Sequence, residues 1–206
     1  MIVYHVDRDK CLKERQKISL QSFEPLKNCL EQQMFPDGLS RHGIHYINEH
    51  LQCIENNCPE YYVMEYELEL IRRCFFPECP SRFQSLFAIK DLVQLEKWDG
   101  IFSSQDIVWE IEIEDGAFIE LDSNLLIPAL KKKTSDDTGW YFSPDDSFSY
   151  GYLYWQKQKT KNPREELLVP LNKHSVFAKR ILGTIEEIKI KEYWGSDANV
   201  GNLAST

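Results

Sequence analysis

The sequence lacks the long apolar runs and the basic leader that mark membrane and exported proteins. No apolar stretch approaches the ~20 residues that a membrane-spanning helix needs. The N-terminus shows no basic segment followed by an apolar core, which is the pattern of a secretory signal. We therefore expect a cytoplasmic protein without a membrane partner.

Positive charge is also scarce. The chain has 24 Lys and Arg against 33 Asp and Glu, and its formal net charge is −9. An acidic surface repels phosphate backbones, which argues against nonspecific binding of nucleic acid. The densest basic segment is the short run Leu130–Lys133.

Several motifs with a known chemistry are missing. The chain has no G-x-G-x-x-G after a strand, no P-loop, no H-E-x-x-H and no G-x-S-x-G. These absences exclude the Rossmann dinucleotide fingerprint, the P-loop nucleotidases, the zincin proteases and the α/β-hydrolases.

The six cysteines do not form a convincing metal or disulfide pattern. Cys53/Cys58 and Cys74/Cys79 have C-x4-C spacing, which is wider than the turns of zinc knuckles. We expect reduced thiols, with a metal site as the weaker alternative. His42 and His45 have helical i, i+3 spacing but no third ligand in view, so we predict no metal.

The length and the overall composition of the chain indicate one globular domain. The chain has 206 residues, of which 42% are hydrophobic and 13% aromatic. We predict a single α+β domain over residues 1–193 and a mobile tail over residues 194–206. The polar segment Lys131–Ser147 is predicted to be a loop.

Periodicity predicts the main elements. Residues Ile2–Val6 form a first strand. A helix follows Pro59, with its buried stripe at Tyr61, Met64, Leu68, Ile71 and Phe75 and the pair Glu69/Arg73 on its outer face. Alternating apolar and acidic residues predict a strand over 106–114, joined by a turn at Asp115–Gly116 to a hairpin partner. Short helices are predicted over residues 90–98 and 123–130, and an aromatic helix over residues 148–158.

His5 raises the question of function, because it lies inside the apolar first strand. It is either a core residue with a satisfied hydrogen bond or a side chain that reaches a ligand. Two later segments bear on this choice: "SRFQSLFA", which leads to a helix ending at Trp98, and "YWQK", which precedes "EELLVPL".

The order of "YHV", "SRFQSLFA" and "EELLVPL" resembles the ADP-ribosyltransferase superfamily, in the His–Tyr–Glu branch with the poly-ADP-ribose polymerases and diphtheria toxin. The chain is also similar, over Ile2 to about Ile190, to a bacterial family of domains of unknown function related to that fold. The resemblance implies split, mostly antiparallel sheets with flanking helices. It also implies NAD as substrate, ADP-ribose transfer to a macromolecular acceptor or NAD hydrolysis, and a toxin or phage-defence role.

The resemblance further implies roles for particular residues. Glu166 matches the catalytic glutamate, and His5 matches the histidine that binds the adenosine ribose. The other residues matched to the NAD site are Ser81, Arg82, Ser85, Trp98 (near the place of the triad tyrosine) and Tyr154. Two positions depart from the pattern: Val6 stands where the polymerases have glycine, and Arg164 stands where arginine-modifying members have Glu or Gln.

Cleavage of NAD requires the same residue types. Cleavage of the nicotinamide bond passes through an oxocarbenium-like ribose, which a carboxylate stabilises. An aromatic face holds a planar ring, and an arginine can pair with a diphosphate. Two alternatives remain open: a member of the fold that binds a ligand or partner without turnover, and an RNA phosphotransferase on the same scaffold, which would need several Arg and His around phosphates.

Overall fold

A computed structural model describes residues 1–22, 30–53, 60–132, 140–142 and 144–189 of the chain. The predicted tail, residues 194–206, and residues 133–139 and 143 of the predicted loop Lys131–Ser147 lie outside these residues. The loop prediction is wrong for the other residues of that segment, which belong to two short strands and to the start of a helix. The strands are β1 (Ile2–Asp7), β2 (Lys17–Ile18), β3 (Ser85–Ala88), β4 (Ile107–Glu112), β5 (Ile119–Asp122), β6 (Leu130–Lys132), β7 (Trp140–Phe142), β8 (Glu165–Pro170) and β9 (Val176–Thr184). The α-helices are α1 (Leu30–Met34), α2 (Arg41–Cys53), α3 (Glu60–Phe75) and α4 (Pro144–Trp155), and 3-10 helices span Arg82–Gln84, Leu92–Trp98 and Ser123–Ala129.

The strands form two main antiparallel sheets, which confirms the predicted α+β class. One sheet has the order β1-β4-β9-β2 and the other has the order β3-β8-β5, while β6 and β7 pair separately. The two main sheets meet where Tyr4 of β1 and Ile89, just after β3, exchange two backbone hydrogen bonds of 2.8 Å. The place where β1 meets β3 is called the seam below.

The main core lies between the two sheets. Val3, Trp109 and Ala178 come from the first sheet, and Leu86 and Leu167 come from the second. All five side chains are at most 8% exposed. Since successive side chains of a strand point to opposite faces, these residues alternate with others that face the outer layers.

Helices α3 and α4 cover the outer face of the β3-β8-β5 sheet. The predicted stripe of α3 is buried at Met64, Leu68 and Ile71, which are 5%, 2% and 2% exposed. Phe75, at the end of the helix, is 52% exposed, so the stripe ends one turn earlier than its periodicity suggests. The outer-face prediction for Glu69 is wrong, because this side chain is 1% exposed.

The predicted hairpin at Asp115–Gly116 is also wrong. Gly116 does make a turn, with φ +76°, in the left-handed region that favours glycine. The chain then passes from one sheet to the other, because β4 pairs with β1 and β9 whereas β5 pairs with β8. Alternation identifies a strand, but it does not identify the neighbour with which that strand pairs.

Candidate functional site

Arg82 is the centre of a buried polar cluster that contains two further predicted site residues, Glu166 and Tyr154. It opens the 3-10 helix before β3, and the Ser81 hydroxyl caps that helix by accepting from the Phe83 amide at 3.2 Å. Arg82 is 5% exposed. Its Nε and Nη2 donate to the two carboxylate oxygens of Glu65 on α3, each at 2.7 Å. This bidentate pair fixes the plane of the guanidinium.

The remaining corner of the guanidinium faces Glu166 and Tyr154. Nη1 of Arg82 donates to Oε1 of Glu166 and also lies within hydrogen-bond distance of the Tyr154 hydroxyl, which itself donates to the same Oε1. Glu166 is 4% exposed and lies at the start of β8, while Tyr154 on α4 is 0% exposed. Four elements thus converge on one guanidinium.

The neighbouring groups and burial fix the protonation states of Arg82 and Tyr154. Burial by itself lowers the pKa of Arg82, but the carboxylates of Glu166 and Glu65 outweigh it and raise that pKa well above its ordinary value. Burial raises the pKa of Tyr154 well above its usual range, so its hydroxyl keeps its proton and remains a donor. Arg82 therefore stays a cation and Tyr154 stays neutral at any physiological pH.

Phe87 connects this cluster to His5. Its backbone carbonyl accepts a hydrogen bond of 2.7 Å from Nδ1 of His5 across the seam. The ring of Phe87 lies 4.7 Å from the guanidinium carbon of Arg82 and 4.0 Å from the ring of His42. Burial lowers the pKa of His5, which favours the neutral ring. His5 thus has the satisfied hydrogen bond of a structural residue and also lies beside the cluster.

His42, near the start of α2, has an unsatisfied nitrogen. Its Nε2 is shielded from solvent and has no hydrogen-bond partner within the described part of the chain. Burial and the positive charge of Arg82 hold the pKa of His42 well below its usual range. The ring is therefore neutral at neutral pH, which suits its position beside a permanent cation.

The two predicted serines, Ser81 and Ser85, stabilise the turn that carries Arg82. The Ser85 hydroxyl donates to the Ser81 carbonyl at 2.7 Å, and the Ser81 hydroxyl donates to Oε2 of Glu69 at 2.8 Å. Ser81 is 6% exposed and Ser85 is 0% exposed. Their hydroxyls hold the turn that presents Arg82, and a ligand role for them stays a prediction.

Trp98 lies apart from these residues. It packs against the same buried cluster as Tyr4 and Val6, which lie on the face of β1 opposite to His5 because strand side chains alternate. Its ring stacks on Phe102 at 5.1 Å and has the Arg164 guanidinium carbon 4.6 Å from its centroid. The structure therefore brings His5, Arg82, Tyr154 and Glu166 into one region and places Trp98 elsewhere; its predicted ligand role stays a prediction.

Sequence reasoning missed Glu65 and Phe87. Glu65 is one helical turn before Glu69 on a helix rich in charge, and both carboxylates are 1% exposed. Two glutamates at i, i+4 followed by arginines usually indicate a solvated face. The structure shows instead that each carboxylate pairs with a buried arginine, Glu65 with Arg82 and Glu69 with Arg72, and no local feature of the sequence indicated this.

Arg82 does not have a free fork for a diphosphate, because Glu65 occupies its Nε and Nη2 edge. What the region offers a ligand is an aromatic ring at Phe87, a carboxylate at Glu166 and an imidazole at His5. Among the residues that the structure describes, no three His, Cys, Asp or Glu side chains come together as a metal site. None of the described helices is long and apolar enough to cross a membrane.

Comparison with known proteins adds a family. The model of the family described as "Protein of unknown function (DUF2441)" matches residues 3–187, so the chain belongs to that family. No curated protein matches the chain.

Proposed function

We propose that this DUF2441 protein binds NAD at the seam and cleaves its nicotinamide–ribose bond, transferring ADP-ribose to a macromolecular acceptor or to water. One observation carries the proposal: a glutamate at the start of β8, Glu166, is held by Arg82 and Tyr154. The same guanidinium lies over the ring of Phe87, whose carbonyl bonds to His5. The split arrangement of two antiparallel sheets also supports it.

The geometry of Glu166 suits a carboxylate that stabilises positive charge. Both hydrogen bonds that it accepts within the described part of the chain end on Oε1. Oε2 takes part in neither bond and is the oxygen that would face the ribose. When the glycosidic bond breaks, nicotinamide leaves with the bonding electron pair, and the developing oxocarbenium ion is stabilised by this carboxylate. The acceptor then bonds to the ribose carbon and loses its proton to Glu166 or to solvent.

Phe87 and His5 would hold the substrate. Phe87 is partly exposed, so its ring can still offer contact area to a planar ligand beside Arg82 and His42. We assign the aromatic role to Phe87 rather than to Trp98, because the Phe87 ring lies beside Arg82 and the Phe87 carbonyl bonds to His5. His5 is partly exposed and its Nδ1 is bonded to Phe87, so its Nε2, for which the described part of the chain shows no partner, would accept from a ribose hydroxyl.

The test is release of nicotinamide from NAD by the purified full chain, measured by chromatography, for wild type, Glu166→Gln and Glu165→Gln. Glu165 is the matched control, because it is the adjacent glutamate of the same strand and bonds only to the Lys90 amide among the described residues. We expect Glu166→Gln to lower the rate about 100-fold or more, and Glu165→Gln to keep the wild-type rate. Equal rates for the wild type and Glu166→Gln would refute the catalytic role.

A second candidate, a module that binds NAD or a related nucleotide without turnover, is favoured by the burial of the cluster. Glu166 is 4% exposed, and each terminal nitrogen of Arg82 already has a partner. For such a module, NAD binds to wild type and to Glu166→Gln with equal affinity and no nicotinamide is released. If neither protein binds NAD, both candidates are wrong.

A further inference from the structure

Glu65 occupies a special place in the Arg82 cluster. It is 1% exposed in the middle of α3, and each of its carboxylate oxygens accepts one N–H of Arg82 at 2.7 Å. The Tyr46 hydroxyl of α2 lies near Glu65, and burial together with the Glu65 carboxylate raises the pKa of Tyr46, so that the hydroxyl keeps its proton. A second helix therefore places a neutral polar group beside Glu65.

A bidentate carboxylate determines the orientation of a guanidinium. The guanidinium is planar, so a partner on its Nε and Nη2 edge leaves Nη1 pointing in one direction only. In this structure that direction leads to Oε1 of Glu166 and to the Tyr154 hydroxyl. The orientation of Glu166 thus depends on Glu65, although the structure shows no direct bond between the two carboxylates in its described part.

We propose that Glu65 is a positioning residue of the NAD site, acting through Arg82 on Glu166; this inference rests on the function proposed above. Replacing Glu65 by Gln turns one acceptor oxygen into an N–H donor. That donor would face an N–H of Arg82, so the fork could not form and the guanidinium would turn. Glu166 would keep a cation nearby but would lose its fixed orientation toward the substrate.

Glu69 provides a matched control for a merely structural role. It lies one turn later on the same helix and is also 1% exposed. It forms the same kind of fork with Arg72, at 2.9 and 2.7 Å, and also accepts from Arg73 at 2.7 Å and from the Ser81 hydroxyl at 2.8 Å. Glu69→Gln therefore removes an equally buried carboxylate that pairs with arginine. Among the described residues, Glu69 touches the turn of Arg82 only through the Ser81 hydroxyl, for which the amide oxygen of Gln is still an acceptor.

The experiment compares Glu65→Gln and Glu69→Gln in three measurements: kcat and KM for nicotinamide release, unfolding in urea, and the NMR signal of Tyr154 in protein labelled with [ζ-13C]tyrosine, assigned with Tyr154→Phe. We expect similar loss of stability in both variants. Only Glu65→Gln should lower kcat, by about 10-fold or more with KM nearly unchanged, which is the pattern of a lost transition-state interaction. Only Glu65→Gln should shift the Tyr154 signal.

The NMR signal separates failure of this inference from failure of the proposed function. If wild type releases no nicotinamide, the proposed function fails, and the Tyr154 signal still reports whether Glu65 orients the cluster. If Glu65→Gln shifts that signal no more than Glu69→Gln does, or if both variants lower kcat equally, the positioning role is wrong. Should Glu65→Gln not fold, Glu65→Asp replaces it, because it keeps the buried charge but draws the carboxylate away from the two N–H groups of Arg82. This variant should then lower kcat and shift the Tyr154 signal, and no effect on either would overturn the inference.

Discussion

Arg82 and Glu166 are 84 residues apart in the chain and form an ion pair whose side chains are 6% and 5% exposed. The pair joins the turn before β3 to the start of β8, the strand that lies beside β3 in the sheet. It therefore has two consequences: it fastens two distant segments, and it fixes the carboxylate on which the proposed chemistry depends.

Removal of Arg82 should be severely destabilising. Arg82→Ala leaves the carboxylates of Glu65 and Glu166 buried without their cation. Breaking a buried ion pair by removing one partner costs about 3–5 kcal/mol. Urea unfolding followed by circular dichroism measures this loss.

Arg41→Ala is the exposed control for that measurement. The Arg41 side chain is 47% exposed and pairs at 2.9 Å with Asp9, whose side chain is 51% exposed. Exposed ion pairs contribute about 0–1 kcal/mol, so we expect a change within that range. If the two alanine variants lost the same free energy of unfolding, the buried cluster would not have the structural importance that we give it.

Gly43→Ala should displace the start of α2. A Cβ at this position would lie 2.4 Å from the Phe83 carbonyl oxygen, and backbone cannot move aside cheaply. Because this overpacking is against backbone next to Arg82, we expect a loss of about 2 kcal/mol or more in the free energy of unfolding.

Gly151→Ala is the matched comparison. At Gly151 of α4 a Cβ would meet only the side-chain ends of Leu68 and Ile71, at 2.8 and 2.9 Å. The gain in helix propensity there, roughly 1 kcal/mol, should keep Gly151→Ala near wild-type stability; a larger loss at Gly151 than at Gly43 would contradict this packing.

His42 should make the protein sensitive to mild acid. Its pKa in the folded state is well below 6.5, the ordinary value that it regains on unfolding. Between those values the unfolded chain binds the extra proton, so stability is complete above about pH 6.5 and falls as the pH decreases. Each histidine held neutral contributes a slope that approaches about 1.4 kcal/mol per pH unit.

His42→Gln tests this origin, because it removes the proton site and leaves the other groups in place. The charged or titratable groups around His42 are Arg82, His45, His5 and Arg8. The free energy of unfolding of the variant should fall less between pH 7 and pH 5.5 than that of wild type. Equal slopes would assign the acid sensitivity to other groups, among them His5, whose pKa burial also lowers.

Trp98→Phe should leave NAD binding unchanged. The indole Nε1 has no hydrogen-bond partner within the described part of the chain, and its ring contacts are with Phe102 and Arg164. A phenyl ring keeps the apolar packing on that face of β1. The dissociation constant measured by calorimetry checks this; a loss of affinity of 10-fold or more would favour the ligand role that sequence resemblance implies for Trp98.

The sequence predicted the local structure better than the pairing. The first strand with His5, the alternating strand through Trp109 and the helix through Leu68 are where their periodicities place them. The hairpin at Gly116 and the exposed position of Glu69 were wrong, because both depend on which segments meet in space. The hydrophobic periodicity of a segment identifies which residues share a face of the helix or strand, but not which other element that face contacts.

The candidate site shows the same limit. His5, Arg82, Tyr154 and Glu166 were assigned through the resemblance to the ADP-ribosyltransferase superfamily, and they lie in one region. Glu65 could not be selected, because its partner Arg82 is 17 residues away across a turn and nothing local distinguishes it from Glu69. The role of a buried carboxylate is determined by the arginine that reaches it.

The most direct test of the account is calorimetric titration of the full chain with a non-hydrolysable NAD analogue, for wild type, His5→Ala and Phe87→Ala, with near-UV circular dichroism to verify folding. The account predicts binding to wild type and affinity at least 10-fold lower in both folded variants, because the two residues meet at the seam. Absence of binding to wild type at millimolar analogue, or unchanged affinity in both variants, would contradict an NAD site at this place in the fold.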